Sequence, residues 1–231
     1  MAIGIIGAMK EEVDAFLSQI EVSNEKVVAN CKFYEGKLIN QDVIVLQSGI
    51  GKVNAALSTT ILHEQYNIDA VINTGSAGGT DKNLNVGDVV IGESVVHHDA
   101  DATAFGYEYG QIPQMPHLFK SDQRLINLAK EAVSEVENEI NIVVGTIGTG
   151  DSFMSDEKRV KDVMNKLPFV KALEMEAAAI AQVCYQYGTP FLIIRSLSDI
   201  AGEKSDISFE AFLDSAARNS ADLVAKLIGK M

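Results

Sequence analysis

Residues 42–75 read DVIVLQSGIGKVNAALSTTILHEQYNIDAVINTG. Two short apolar runs, DVIVLQS (42–48) and DAVINTG (69–75), enclose a helix-period segment at about 52–66. The runs are nearly continuous in Val, Ile and Leu, the pattern of strands covered on both faces. The alternation continues on either side. Further apolar runs lie at 2–8 (AIGIIGA), 88–96 (DVVIGESVV), 142–150 (IVVGTIGTG) and 190–198 (PFLIIRSLS). Helical patterns lie at about 9–20, 121–136, 156–166, 175–187 and 208–229. This succession predicts an α/β fold with a mostly parallel central sheet flanked by helices. Residues 27–47, VVANCKFYEGKLINQDVIVLQ, read as an antiparallel pair turning near Asn40, so the sheet is mixed. No linker, repeat or low-complexity tract interrupts the chain, and residues 1–231 are expected to form a single domain.

A chain of 231 residues with 47% hydrophobic and 22% charged residues is neither disordered nor fibrous. It is long enough to bury a core without disulfide staples. Its 19 basic residues face 32 acidic ones, a formal charge of −13, which argues against nucleic acid and anionic membrane as partners. The four arginines, Arg124, Arg159, Arg195 and Arg218, are too scattered to clamp several phosphates. Cys31 and Cys184 are far apart and read as free thiols of a reducing cytosol. Neither a signal-peptide pattern nor an apolar run of about 18 residues is visible, so a cytoplasmic location is expected.

Residues 99–118, DADATAFGYEYGQIPQMPHL, break the alternation. A long aperiodic segment in a compact domain is usually functional or an interface. Its aromatics, Phe105, Tyr107 and Tyr109, are expected to be exposed and to favour a partner surface.

In an open α/β sheet, ligands bind beyond the carboxyl ends of the strands. Here those ends carry Gly7-Ala8-Met9, Ser48-Gly49-Ile50-Gly51, Gly75-Ser76-Ala77-Gly78-Gly79, Gly150-Asp151-Ser152-Phe153 and Ser196-Leu197-Ser198-Asp199. Glycine permits close backbone approach, although βα turns are often glycine-rich for other reasons. None of these strings is a nucleotide-binding fingerprint. On helix 9–20 the apolar Met9, Val13, Phe16, Leu17 and Ile20 share a face, at about 100° per residue. Glu11 falls opposite them, in solvent. Glu12 falls at the border of the buried face, where it either points into a cleft or complements the helix dipole. Glu174 and Glu176, read as helical, are about 200° apart and cannot both face one site. Arg195 interrupts an otherwise buried strand and needs a carboxylate partner, for which Glu174 and Glu176 are candidates. Asp199 follows at the strand end, either as a catalytic acid or as Arg195's structural partner. His97-His98-Asp99-Ala100-Asp101 lacks a third ligand at metal spacing, and adjacent strand histidines point to opposite faces, so a loop-anchoring network is expected instead. No G-x-S-x-G occurs, which argues against a covalent hydrolase.

GIIGAMKEEV, SGIGKVNAA, INTGSAGG, VGDVV, HHDADATAFGYEYGQIP, GTGDSF, EMEAAAIAQVC, RSLSD and ISFEAFL occur in this order. Together they closely resemble the bacterial 5′-methylthioadenosine/S-adenosylhomocysteine nucleosidases of the purine nucleoside phosphorylase/nucleosidase superfamily, from residue 2 to about 215. The resemblance implies a nucleoside phosphorylase-like fold and hydrolysis of the N-glycosidic bond of adenine thio-nucleosides, with no cofactor and no metal. It implies Glu12 as the base that activates water and Asp199, next to Ser198, as the acid at adenine N7. Glu176, beside Met175, would hold the ribose hydroxyls, and Arg195 would steady that carboxylate. Phe153 and Met154 would hold adenine, and Ser76, Ala77 and Gly78 would line the ribose and water site. Met9, Ile50 and Phe209 would form the 5′-alkylthio pocket. Phe105 and Pro113 would complete the pocket of a neighbouring subunit, which implies a homodimer. Lys10, Ala102, Met154 and Ala178 depart from the residues often found in the family, and neither catalytic acid is touched.

Two rival readings remain at this level. A phosphorylase of the same superfamily needs arginines around a phosphate, and none lies near INTGSAGG. A non-catalytic adenine-nucleoside sensor would not need both Glu12 and Asp199.

Overall fold

The computed structural model describes residues 2–81, 83–133, 140–203 and 205–231. Its strands are β1 (Ala2–Gly7), β2 (Glu21–Val28), β3 (Cys31–Leu38), β4 (Gln41–Gln47), β5 (Ile68–Gly79), β6 (Val89–His97), β7 (Phe119–Lys120), β8 (Ile142–Thr149), β9 (Val170–Glu174) and β10 (Phe191–Ile200). The helices are α1 (Lys10–Leu17), α2 (Lys52–Gln65), α3 (Gln123–Val133), α4 (Glu157–Lys166), α5 (Ala177–Tyr187) and α6 (Ser205–Ile228). The sheet order is β10-β6-β8-β9-β5-β1-β4-β3-β2, with β7 added on β6. β4, β1, β5 and β10 lie parallel side by side. The α2 crossover in residues 42–75 therefore carries the chain from one flank of β1 to the other.

Alternation within single strands explains the continuous apolar runs. Ile5, Val43, Val45, Ile72, Leu192 and Ile194 enter one core, with residues of α1, α3 and α6. Their neighbours Ile6, Ile44, Leu46, Val71 and Ile193 enter a second core on the opposite face, with residues of α2 and α5. Successive side chains of a strand point to opposite faces, so a strand covered on both sides must be apolar throughout.

The sheet is not simply open. β5 pairs with β10 as well as with β9, so β5, β10, β6, β8 and β9 close into a ring. β5 and β10 also run further than the apolar pattern predicts, through Gly79 and Ile200, so Ser76–Gly79 and Ser196–Asp199 are strand rather than turn. β2, β7 and β9 were not expected. β2 is an edge strand whose residues are almost all exposed, and it therefore carries no apolar alternation. β9 has five residues and β7 two, too few for a period to register. α1 stops at Leu17, where Ser18 caps it. Residues 134–136 of the expected third helix lie outside the described residues.

Segment 99–118 holds one 3₁₀ turn, Thr103–Phe105. Only part of its aromatic surface is free. Phe105 is 83% exposed, whereas Tyr107 and Tyr109 are half-buried. The Tyr109 hydroxyl donates to the His98 carbonyl (2.8 Å), and Lys166 Nζ sits 4.1 Å above its ring. The loop thus needs Tyr109 as an anchor to the body of the protein, which corrects the expectation that all three aromatics face a partner.

Candidate active site

The turn from β1 into α1 places Glu12 in the first helical turn, fully buried. Its Oε2 accepts from the Ala8 and Met9 N–H groups (2.7 and 3.1 Å). Its Oε1 accepts from Ser76 N–H (3.0 Å) and Ser76 Oγ (3.3 Å) on β5. The carboxylate therefore caps its own helix and also faces the cleft, and the two sequence readings hold together. Gly75 makes this possible. Its φ is +145°, and a Cβ there would overlap both Glu12 Oε1 and Arg195 Nη1.

Arg195, in the middle of β10, is 1% exposed. Its Nη2 donates to Glu174 Oε2 (2.5 Å) and to Asn73 Oδ1 (2.7 Å), with Glu176 Oε2 at 3.6 Å. Burial opposes the charge, but Glu174, Glu176 and Glu12 outweigh it and hold the guanidinium protonated. Glu174 and Glu176 both face this site, contrary to the helical reading. Glu174 ends β9 and Glu176 caps α5, so the 200° separation of a helix never applies. Arg195 binds Glu174 more closely than Glu176. Glu174 also accepts from the Glu176 and Ala177 N–H groups and from Thr149 Oγ1. Thr149 Oγ1 accepts in turn from Ala178 N–H (2.8 Å). Glu176 Oε1 accepts from Gly51 N–H (2.9 Å), at the start of α2.

Asp199 is buried near the end of β10. The register with β5 slips between Leu197 and Asp199, where Ser198 is the extra residue of a β-bulge. A bulge re-aims the side chain beside it. Ser198 Oγ donates to Asp199 Oδ1 (2.8 Å), and a Cβ on Gly78 would lie 2.9 Å from Oδ2. The alternative pairing of Asp199 with Arg195 does not hold, because the guanidinium's ion pairs go to Glu174 and Glu176.

These groups surround one cleft. A chamber of about 350 Å³ is lined by Met9, Glu12, Ile50, Ser76, Phe153, Met175, Glu176 and Phe209, with Ala8, Glu174 and Glu210. A narrow extension of about 30 Å³ adjoins it through Phe153, Glu174 and Met175, and adds Gly78, Met154 and Asp199. Phe153 and Phe209 meet edge-on across the chamber, with ring centroids 5.6 Å apart. Ala77 is the exception among the expected lining residues. It alternates with Ser76 and Gly78 on the strand, so its methyl group enters the core behind the sheet. Arg195 and Ser198 lie behind the lining, Arg195 against Glu174 and Glu176 and Ser198 against Asp199. Phe105 and Pro113 are exposed and do not line the cleft of their own chain. No lysine or arginine lines either chamber among the described residues.

The phosphorylase-superfamily profile matches residues 2–229. The 5′-methylthioadenosine/S-adenosylhomocysteine nucleosidase of Geobacillus sp. (strain WCH70) is 57% identical over the whole chain and 99% of its own length. The chain belongs to this nucleosidase family. Two solved members share 46% identity and a TM-score of 0.97 over the whole chain. They are the Colwellia psychrerythraea nucleosidase in complex with adenine, 95% covered, and the Neisseria meningitidis nucleosidase in complex with methylthio-immucillin-A, 99% covered.

For a nucleosidase of this family, Asn73, Thr149 and Glu174 matter more than sequence reasoning allowed. Asn73 carried the same signal as Arg195, a polar residue interrupting a buried strand, and its Nδ2 is tied to the Ile6 carbonyl (2.9 Å). His97 and His98 anchor the surrounding loops, as expected. His97 Nε2 lies 3.0 Å from Gln182 Oε1, His98 N–H donates to the Thr149 carbonyl (2.7 Å), and the His98 ring packs under Gly150. Burial pushes both imidazoles toward the neutral form.

Burial, and then the neighbouring Glu174, raise the Glu176 carboxyl well above its ordinary value of 4.5, against the pull of Arg195. One arginine thus neutralises one of the two acids. A raised native value stabilises the fold fully below the ordinary value and progressively less as pH rises toward the native one. Thermal unfolding of the parent and of Glu176→Gln between pH 5 and 8 should therefore show the parent losing stability relative to the variant as pH rises. Parallel curves would contradict this electrostatic arrangement.

Proposed function

We propose that this cleft hydrolyses the N-glycosidic bond of 5′-methylthioadenosine and S-adenosylhomocysteine, releasing adenine and 5-methylthioribose or S-ribosylhomocysteine. The observation that carries the proposal is the convergence of the buried carboxylates Glu12, Glu176 and Asp199 on one cleft with no lysine or arginine among its described lining residues. Adenine occupies the narrow end between Phe153, Met154 and Asp199. The thioalkyl group lies against Met9, Ile50 and Phe209. Glu176 takes the ribose hydroxyls between them.

Neutral adenine is a poor leaving group. A proton passed from the Asp199 carboxyl to N7 lets the C1′–N9 bond break, with its electron pair leaving on adenine. Ser198 Oγ donates to Asp199 Oδ1 and so orients the carboxyl group. The sugar acquires oxocarbenium character, which nearby carboxylates stabilise. Water attacks C1′ and gives its proton to Glu12, whose N–H donors keep it oriented. Each proton transfer contributes about 10²–10⁴-fold. Phosphorolysis would bring a dianion among these acids with no lysine or arginine among the described lining residues, which is electrostatically adverse. A sensor of adenine nucleosides would have no need to bury both Glu12 and Asp199 at the cleft.

The functional unit is a cytoplasmic homodimer in which exposed Phe105 and Pro113 of one protomer complete the alkylthio pocket of the other. Two buried free thiols and the absence, among the described residues, of a helix long and apolar enough to cross a membrane accord with this setting.

Asp199→Asn keeps the shape but has no proton to give, and should retain the fold while losing at least about a hundredfold in kcat. A stable, fully active variant would remove Asp199 from the acid role. Adenine release from methylthioadenosine in phosphate-free buffer should match the rate with phosphate added and yield free methylthioribose. A sugar 1-phosphate and a rate that rises from near zero with phosphate would overturn hydrolysis. Sedimentation at micromolar concentration should give about twice the chain mass, in the obligate-dimer class, and Phe105→Ala should raise KM for methylthioadenosine. An active monomer would refute the shared pocket.

A further inference from the structure

The turn that holds Glu176 is tied at its first residues by Gly49 N–H on the Ala8 carbonyl (3.0 Å) and by Asn54 Nδ2 on the Ile50 carbonyl (2.7 Å). Gly49 and Gly51 have φ of +83° and +94°, and Ile50 between them is half exposed. A segment of this kind keeps one conformation only if polar contacts pin it. Gly51 N–H donates to Glu176 Oε1 (2.9 Å), and the next amide, Lys52 N–H, donates to Asp151 Oδ1 (2.7 Å). The second of these contacts leads back to one further carboxylate. Asp99 Oδ2 accepts from Asp151 N–H (3.0 Å), and Asp99 Oδ1 binds Lys52 Nζ (2.6 Å). The contacts form a closed circuit joining the turn after β4, the end of β6 and the turn after β8. An isolated surface ion pair contributes little. This pair is different because each Asp99 oxygen holds a different side of the circuit.

From this circuit we infer that Asp99, through Lys52 and Asp151, is a positioning residue that keeps the Gly51 N–H on Glu176 and so sets the grip of Glu176 on the ribose hydroxyls. The inference rests on the ribose role given to Glu176 above. Asp99 touches neither the cleft nor substrate. Its removal frees the Gly51–Lys52 end of the turn, lets Gly51 leave Glu176, and leaves that carboxyl without its backbone donor. Binding of the ribose hydroxyls weakens most, because adenine and the alkylthio group keep Asp199, Met9 and Phe209 on other elements.

The test compares KM and kcat for methylthioadenosine and its 2′,3′-dideoxy analogue in the parent, Asp99→Ala, Asp99→Asn, Glu176→Gln and the Asp99→Ala/Glu176→Gln double variant. Asp99→Ala should raise KM for methylthioadenosine about tenfold, the scale of one lost hydrogen bond, and raise that of the dideoxy analogue several times less. Asp99→Asn keeps an oxygen for Asp151 N–H and should fall between. It carries the comparison alone if Asp99→Ala does not fold. In the Glu176→Gln background, Asp99→Ala should add nothing. Equal KM changes for both substrates, or a lowered melting temperature with both KM values unchanged, would overturn the inference. If Glu176→Gln still discriminates between the substrates, the ribose role of Glu176 fails and this inference falls with it. If Glu176→Gln loses the discrimination and both Asp99 variants keep it, Asp99 alone is wrongly assigned.

Discussion

The burial of Arg195 between Glu174 and Glu176 is the constraint on which the surrounding architecture depends. A guanidinium removed from water is tolerated only where carboxylates and hydrogen bonds replace its hydration. Meeting that demand draws four elements to one point: β10 with Arg195, β5 with Asn73, β9 with Glu174 and the start of α5 with Glu176. Glu174 then serves the first amides of α5, which a helix start otherwise leaves without partners. Strand pairing, helix initiation and the back wall of the cleft are thus set by one cluster. Removing one partner from such a pair typically costs about 3–5 kcal/mol, because the other charge is left buried.

The same cluster holds two carboxylates closer than a stability-driven design would place them. One arginine cannot neutralise both, and the Glu176 proton affinity rises accordingly. Perturbation of this kind gathers where a protein does chemistry. Both glutamates reach the cleft, and Glu174 also supports the start of α5. Glycines complete the arrangement. Gly75 lets Glu12 and Arg195 approach the same point of β5, and Gly78 leaves space for Asp199. A β-bulge at Ser198 sets the direction of the last acid.

What the sequence determined by itself is whatever depends on local periodicity and local chemistry. Continuous Val/Ile/Leu runs marked β1, β4, β5, β6, β8 and β10, because a doubly covered strand carries that pattern within a few residues. Glu12 stood out at the border of an apolar helix face, Arg195 as a charge within a buried run, and Asp199 at a strand end. The motif resemblance then attached roles to residues that periodicity could only flag. Tertiary structure alone decided which side of the chain each of these met. The closed ring of five strands and the convergence of Glu174 and Glu176 on one guanidinium follow from pairing between distant segments. Such pairing leaves no period in either partner. A helix was read where β9 ends and α5 begins, and that single boundary reversed the conclusion about the two glutamates. The physical reason is that the direction of a side chain follows from local backbone geometry, whereas the partner it meets is set by contacts far away in sequence.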